Sequence, residues 1–179
     1  MHIISGSYKG HKISVPKNAV RPTMDKVQEA IFAIIRSDVA HAQVLDLFAG
    51  SGSLGLEALS EGSERCDFVE NSYQVIKILK KNITALTLEK AAQIHNCSVF
   101  SYLNNCTKIY DLIFFDPPYK REFACKTIKA IYMKNILSDE GIIVAETGKG
   151  EDISEFENFI IKEKIYGDTK VTILTKGTV

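Results

Sequence analysis

At 179 residues, with 45% hydrophobic and 25% charged side chains, the chain is the size of one soluble globular domain and can bury a substantial core. Lys plus Arg and Asp plus Glu both total 22, so net charge excludes nothing, but before Val27 five cations (Lys9, Lys12, Lys17, Arg21, Lys26) stand against one acid, Asp25, an asymmetry that hints at a polyanionic partner. Cys66, Cys97, Cys106 and Cys125 show no C-x-x-C pairing and no secretion signal or membrane span is visible, which argues against a zinc site or disulfide framework and leads us to expect a cytoplasmic protein without bound metal.

"HIISGSYKGHKISVP", His2 to Pro16, alternates apolar and polar residues around Gly6 and Gly10 and reads as a short hairpin. "KNAVRPTMD" is a connector. Val27, Ile31, Ile34 and Ile35 then recur at helical spacing, and Asp25 with Gln28 matches a capping box, so Asp25 or Thr23 is expected to start that helix. From there strands and helices alternate. "QVLDLF" is a strand and Ser53 to Leu59 opens a helix; "CDFVE" is a strand and Tyr73 to Leu86 a helix. "AQIHNC" is a strand, Phe100 to Asn104 a short helix, "YDLIFF" a buried strand and Phe123 to Lys134 a helix. "GIIVAE" follows as a strand, and the tail reads as two strands turned at Gly167-Asp168. This alternation implies an α/β fold with a seven-stranded, mostly parallel sheet and helices on both faces, the last two strands being antiparallel to each other. Cys66 and Cys97 fall in strands as small core residues. A single domain over 1–179 is expected, with a basic hairpin and connector (1–22) ahead of the core (23–179).

"VLDLFAGSGSLGLEAL", Val44 to Leu59, carries Gly50, Gly52 and Gly55 in G-x-G-x-x-G spacing between strand and helix, the dinucleotide fingerprint. In such a sheet ligands sit beyond the carboxyl ends of the strands. Phe48 to Gly52 lies at that end, where glycines let backbone N–H groups approach a ligand. Glu70, ending the next strand, can take both hydroxyls of a ribose. Asp46 tips the choice of ligand, because a carboxylate beside the loop repels a pyrophosphate and attracts the ammonium of S-adenosylmethionine. Its alternative role is to satisfy loop amides. Gly55, inside the helix, is expected to serve packing.

"YDLIFFDPPYKREF", Tyr110 to Phe123, is a buried strand ending in Asp-Pro-Pro-Tyr. Pro117 and Pro118 remove two donors and fix the backbone, so carbonyls there point outward. A carboxylate (Asp116), a rigid carbonyl (Pro117) and a ring (Tyr119) then converge at the sheet mouth. Two acceptors can hold both N–H bonds of an amine conjugated to a nucleobase and expose its lone pair, while the ring stacks on the base. A mere strand-terminating turn is the bland alternative.

With both motifs in place, the chain resembles S-adenosylmethionine-dependent methyltransferases acting on exocyclic amino groups. Within them it is similar to the bacterial 16S ribosomal RNA guanine-N2 methyltransferases of the RsmD type. Besides the two motifs, "RPTMDKVQEAIF" (Arg21 to Phe32), "IISGSYKGHKISVP" and the terminal "YGDTKVTIL" carry the likeness, which spans nearly the whole chain. It implies a Rossmann-like class I methyltransferase fold. It also implies that Asp46, Phe48, Ala49, Gly50, Ser51 and Gly52 cradle the methionine half of the cofactor, that Glu70, with Asn71, serves the ribose, and that Ser98 and Val99 meet the adenine. An Asp or Asn commonly stands where Ser98 is, and a second glycine often stands where Ser5 is. Asp116, Pro117, Pro118 and Tyr119 would be catalytic, and Lys9, Lys12, Arg21 and Thr23 would meet RNA. The substrate implied is a guanine in 16S rRNA within the assembled small subunit, and the protein is expected to act as a monomer. Direct methyl transfer without a covalent enzyme intermediate is expected. The rivals are an adenine-N6 methyltransferase of DNA or RNA, a protein-glutamine methyltransferase and a catalytically silent RNA-binding assembly factor.

Overall fold

The structure, a computed structural model, describes residues 1–16, 22–117 and 123–176. Seven strands form one sheet: β1 (Gln43–Leu47), β2 (Arg65–Glu70), β3 (Ala92–Asn96), β4 (Tyr110–Phe115), β5 (Leu137–Gly148), β6 (Ile160–Tyr166) and β7 (Thr169–Thr175). Their order is β3-β2-β1-β4-β5-β7-β6. The first five are parallel, whereas β7 runs antiparallel to both β5 and β6. The order reverses between β1 and β4, and such a switch point opens a crevice at the carboxyl ends of the strands.

Helices α1 (Pro22–Val39), α2 (Ser53–Ser60), α3 (Tyr73–Ala85), α4 (Val99–Asn105) and α5 (Phe123–Lys134) cover the two faces. Side chains alternate along a strand, so the central strands build two cores. On one face Ile31 and Phe32 of α1, Leu56 of α2 and Leu79 of α3 pack on Val44, Phe68, Phe114 and Val144. On the other, Leu103 of α4 and Ile128 and Ile131 of α5 pack on Leu45, Leu47, Ile113 and Phe115. Being covered on both sides is what makes β1 and β4 nearly continuous apolar runs. Among the described residues no helix is long and apolar enough to cross a membrane.

The structure refines several expectations. The N-terminal hairpin is present but short: His2 bridges Lys12 antiparallel, the Ile3 N–H donates to His11 O at 2.9 Å and the Ile13 N–H to Met1 O at 3.0 Å, around a 3-10 turn at Gly6–Tyr8. The reason is that the Ile4 and Ser5 amides donate to Glu57 of α2 instead of to a partner strand. Nor is the arm a mere appendage, since Ile3 and Ile13 are buried in the core. Helix α1 starts at Pro22, a residue suited to the first helical position; Gln28, instead of reaching back to close a capping box, is buried and donates Nε2–H to Glu57 at 2.8 Å. Strand β5 begins at Leu137, four residues before Gly141, because Leu137 pairs with Tyr110 ahead of a register shift. Cys97 lies one residue beyond β3.

Candidate functional site

Strand β1 delivers the chain into a loop of left-handed residues, Phe48 (φ 59°), Gly50 (φ 56°) and Gly52 (φ 86°). The Ala49 N–H donates to Val69 O at 3.0 Å and the Gly52 N–H to Ala49 O at 2.7 Å, which fixes the turn. A left-handed φ at the non-glycine Phe48 carries a strain cost of order 1–3 kcal/mol, the kind that clusters at ligand sites. Gly52 caps α2 but has no side chain to satisfy the orphan amides of the first turn. Asp46 supplies the acceptor, taking the Gly55 N–H on Oδ2 at 3.0 Å. Of the two roles open to Asp46, this is the amide-satisfying one. The carboxyl is 3% exposed, and burial pushes it up to about 7 against the Gly55 bond, with Asp116 and Glu70 adding to the rise. Gly55 serves packing: a Cβ there would lie 2.3 Å from Phe68 Cε1 and 2.6 Å from Cys66 Sγ.

Glu70, at the end of β2, accepts the Gly50 N–H on Oε2 at 3.0 Å and the Ser72 N–H on Oε1 at 2.7 Å. It therefore ties the glycine loop to the neighbouring strand, a role the sequence motif does not announce. Ser51 is held from the other side, its carbonyl accepting from Asn82 Nδ2 at 2.9 Å. Asn82 is buried on α3 and also exchanges two hydrogen bonds with the Ser14 backbone, each 2.9 Å. One side chain thus joins the N-terminal arm to the loop.

Phe48, Glu70, Asn71, Ser98 and Val99 come together around a cavity of ≈ 320 Å³. The Ser98 hydroxyl oxygen caps α4 by accepting the Ser101 N–H at 3.2 Å. Four further residues complete the walls: Val69, Cys97, Phe100 and Phe123. The Phe100 and Phe123 rings stack at 6.0 Å, and Phe48 meets Phe123 edge-on at 6.1 Å. Sequence reasoning missed these aromatics; their signal was a phenylalanine following each of two candidate ligand segments, Ser98-Val99 and Asp116 to Tyr119. An apolar cavity lined by three aromatic rings and a carboxylate suits a nucleoside, base against the rings and sugar at the acid.

Asp116 and Pro117 leave the carboxyl end of β4, beside β1 and β5. The half-buried Asp116 acts electrostatically on Asp46 and on Glu146 of β5. Pro118, Tyr119 and Arg21 lie outside the described residues, as does the Thr23 side chain. Lys9 and Lys12 are exposed on the arm. Among the described residues no group of His, Cys, Asp and Glu could hold a metal ion. A larger hollow of ≈ 580 Å³ between α5 and the segment after β5 contains none of the candidates; its Lys129 and Glu155 are paired at 2.8 Å.

The geometry has known counterparts. Residues 1–175 match the family described as conserved hypothetical protein 95. The chain is 37% identical to Bacillus subtilis YlbH over 98% of its own length and 99% of that protein. It is 35% identical to Escherichia coli ribosomal RNA small subunit methyltransferase D, over 82% of this chain and 74% of that one. The solved structure of Escherichia coli yhhF superposes with a TM-score of 0.89 at 31% identity, covering 100% of this chain and 99% of that one. In fold alone it also matches a Thermus thermophilus 16S rRNA N2 G1207 methyltransferase solved with AdoMet and guanosine, with a TM-score of 0.71 at 23% identity over 89% of this chain and 44% of that one. The fold is thus that of a Rossmann-like methyltransferase, and the chain belongs to the conserved hypothetical protein 95 family, that of the RsmD-type methyltransferases.

Proposed function

We propose that this protein methylates the exocyclic N2 amino group of a guanine in 16S ribosomal RNA with S-adenosylmethionine, acting in the cytoplasm as a monomer on the assembled small subunit. One observation carries the reading. Asp116-Pro117, an amine-holding pair by its chemistry, leaves β4 at the switch point, next to the strand whose loop leads into the nucleoside-shaped cavity. The name of the Escherichia coli relative, a ribosomal RNA small subunit methyltransferase, supports the choice of rRNA.

The residues fit the cofactor: the cavity offers rings for an adenine, Glu70 for a ribose, and Asp46 a buried carboxyl whose anion a nearby ammonium would favour. When bound, S-adenosylmethionine supplies an electrophilic methyl group on a sulfonium. Ser98 and Val99 would hold its adenine, Glu70 and Asn71 its ribose, and Phe48 to Gly52 its methionine half. Asp116 and the Pro117 carbonyl accept the two N–H bonds of the amine and turn its lone pair outward. Asp116 then accepts the proton that the methylated nitrogen releases. Tyr119 stacks on the base. Lys9, Lys12, Arg21 and Thr23 meet the RNA backbone, where contacts position the protein without reading sequence. Most of the rate gain comes from positioning and from excluding water.

The experiment is transfer of radiolabelled methyl to unmodified small subunits, naked 16S RNA and DNA, with the labelled nucleoside identified. N2-methylguanosine in the subunits is expected. Label on adenine alone would overturn the substrate.

A further inference from the structure

Strands β4 and β5 run parallel with Phe115 beside Ala145. Asp116 and Glu146 are therefore the next residues on neighbouring strands, which lie about 4.8 Å apart. Alternation places Glu146 on the face of Val144, and Val144 pairs with Phe114, which pairs with Asp46. The carboxyl rim of the sheet thus presents Glu70, Asp46, Asp116 and Glu146 in a row. The first two spend oxygens on loop amides. Glu146 is half-buried, its partner on β7 is the apolar Val171, and its carboxyl feels the charge of Asp116.

We propose that the Glu146 carboxylate accepts the ring N1–H of the target guanine while Asp116 holds the adjacent N2 amine; the proposal rests on the guanine reading above. The edge chemistry decides it. In guanine the reactive amine is flanked by N1–H, a donor, whereas in adenine it is flanked by N1, an acceptor. Two carboxylates side by side accept two neighbouring N–H groups and repel a lone pair. Burial, and then the Asp116 charge, push Glu146 up to about 8 in the free protein. The free carboxyl therefore keeps its proton near neutral pH, and the N1–H of a bound guanine, by donating to it, favours the anion, so that binding releases this proton to solvent. Glu146 is thus the residue that selects guanine over adenine.

The test uses 2-aminopurine, which keeps the 2-amino group but carries an unprotonated N1. RNA with this base at the position labelled by the wild type is compared with the guanine form, naked or reassembled into subunits. Wild type should prefer guanine strongly. Glu146→Gln, whose amide can donate to an unprotonated N1, should lose about 10- to 100-fold in kcat/KM on guanine and much less on 2-aminopurine, with cofactor affinity unchanged. Glu146→Asp, which keeps the charge, should retain the guanine preference at reduced rate. An equal loss on both bases in Glu146→Gln, or a lost preference in Glu146→Asp, would overturn the proposal. Failure of the wild type to make N2-methylguanosine would instead overturn the guanine reading, and this inference with it.

Discussion

Glu57 accepts the backbone N–H of Ser5 at 2.8 Å, across 52 residues of sequence. The same carboxylate, 0% exposed, takes the Ile4 N–H at 2.9 Å, the Ser5 hydroxyl at 2.7 Å and Gln28 Nε2–H at 2.8 Å. The N-terminal arm, α1 and α2 therefore meet at one buried acid. Removing it strands several donors, each costing about 1–3 kcal/mol when left unsatisfied. Glu57→Ala should lose about 3 kcal/mol or more, lowering Tm by about 6–12 °C, and Glu57→Gln should lose less. Calorimetric melts check this; a Glu57→Ala melt at the wild-type temperature would show that the node contributes nothing.

Gly52 and Gly55 separate loop from packing. A Cβ at Gly52 meets Leu79 Cδ1 at 2.4 Å and sits at φ +86°, in the cofactor loop itself; at Gly55 it meets only Phe68 and Cys66, behind the helix. Gly55→Ala should cost about 1–3 kcal/mol by overpacking while the folded protein binds S-adenosylhomocysteine within about two-fold of wild type. Gly52→Ala should lose both stability and affinity. Titration calorimetry on the two variants distinguishes them.

Asp46 makes stability pH-dependent. Its folded-state value near 7 lies above the ordinary 3.8, so the native state holds the proton more tightly than the unfolded one. The stability this contributes is complete below about pH 3.8 and is lost as pH rises through 7. Asp46→Asn keeps an acceptor for Gly55 and removes the titration. The unfolding free energy of wild type minus that of Asp46→Asn, from urea titrations at stepped pH, should therefore fall across that window. A flat difference would contradict the burial of the charge.

Tyr110 provides a control at the opposite end of β4. Its hydroxyl donates to Asp67 Oδ2 at 2.6 Å and is paired with the Tyr102 hydroxyl. Lys108 also donates to Asp67, at 2.7 Å. Burial raises the Asp67 carboxyl, but the Lys108, Tyr110 and His95 bonds outweigh it and hold the group below its ordinary value. Tyr110→Phe should cost about 1–3 kcal/mol and leave methyl transfer within about two-fold. A large loss of transfer at unchanged stability would mean that this network reaches the site.

The alternation of strands and helices, the antiparallel tail and the crevice at the end of β1 were legible because each rests on local period or on a motif. What was not legible depends on partners far along the chain. Gln28 matched a capping pattern, yet its partner is Glu57; a three-residue spacing cannot reveal a buried acid on another helix. The polar run Ser138-Asp139-Glu140 hid the start of β5, because Ser138 bonds Asp111 at 2.8 Å and sits at the sheet margin rather than in the core. The short turn at Ser154–Phe159 buries only Phe156, too little for a periodic signal. In the site, Phe100 and Phe123 lie apart in the chain, and only the fold brings them into one cavity lining with Glu70.

The central claim is that Asp116 holds the amine while other residues hold the cofactor. Single-turnover transfer of labelled methyl to unmodified small subunits, by wild type and by Asp116→Ala, tests it most directly when paired with a cofactor titration. We predict N2-methylguanosine with wild type, loss of transfer by at least about 1,000-fold in Asp116→Ala, in line with the loss of other preorganised polar groups at reacting centres, and cofactor affinity near wild type in both. Near-normal transfer by Asp116→Ala would contradict the account.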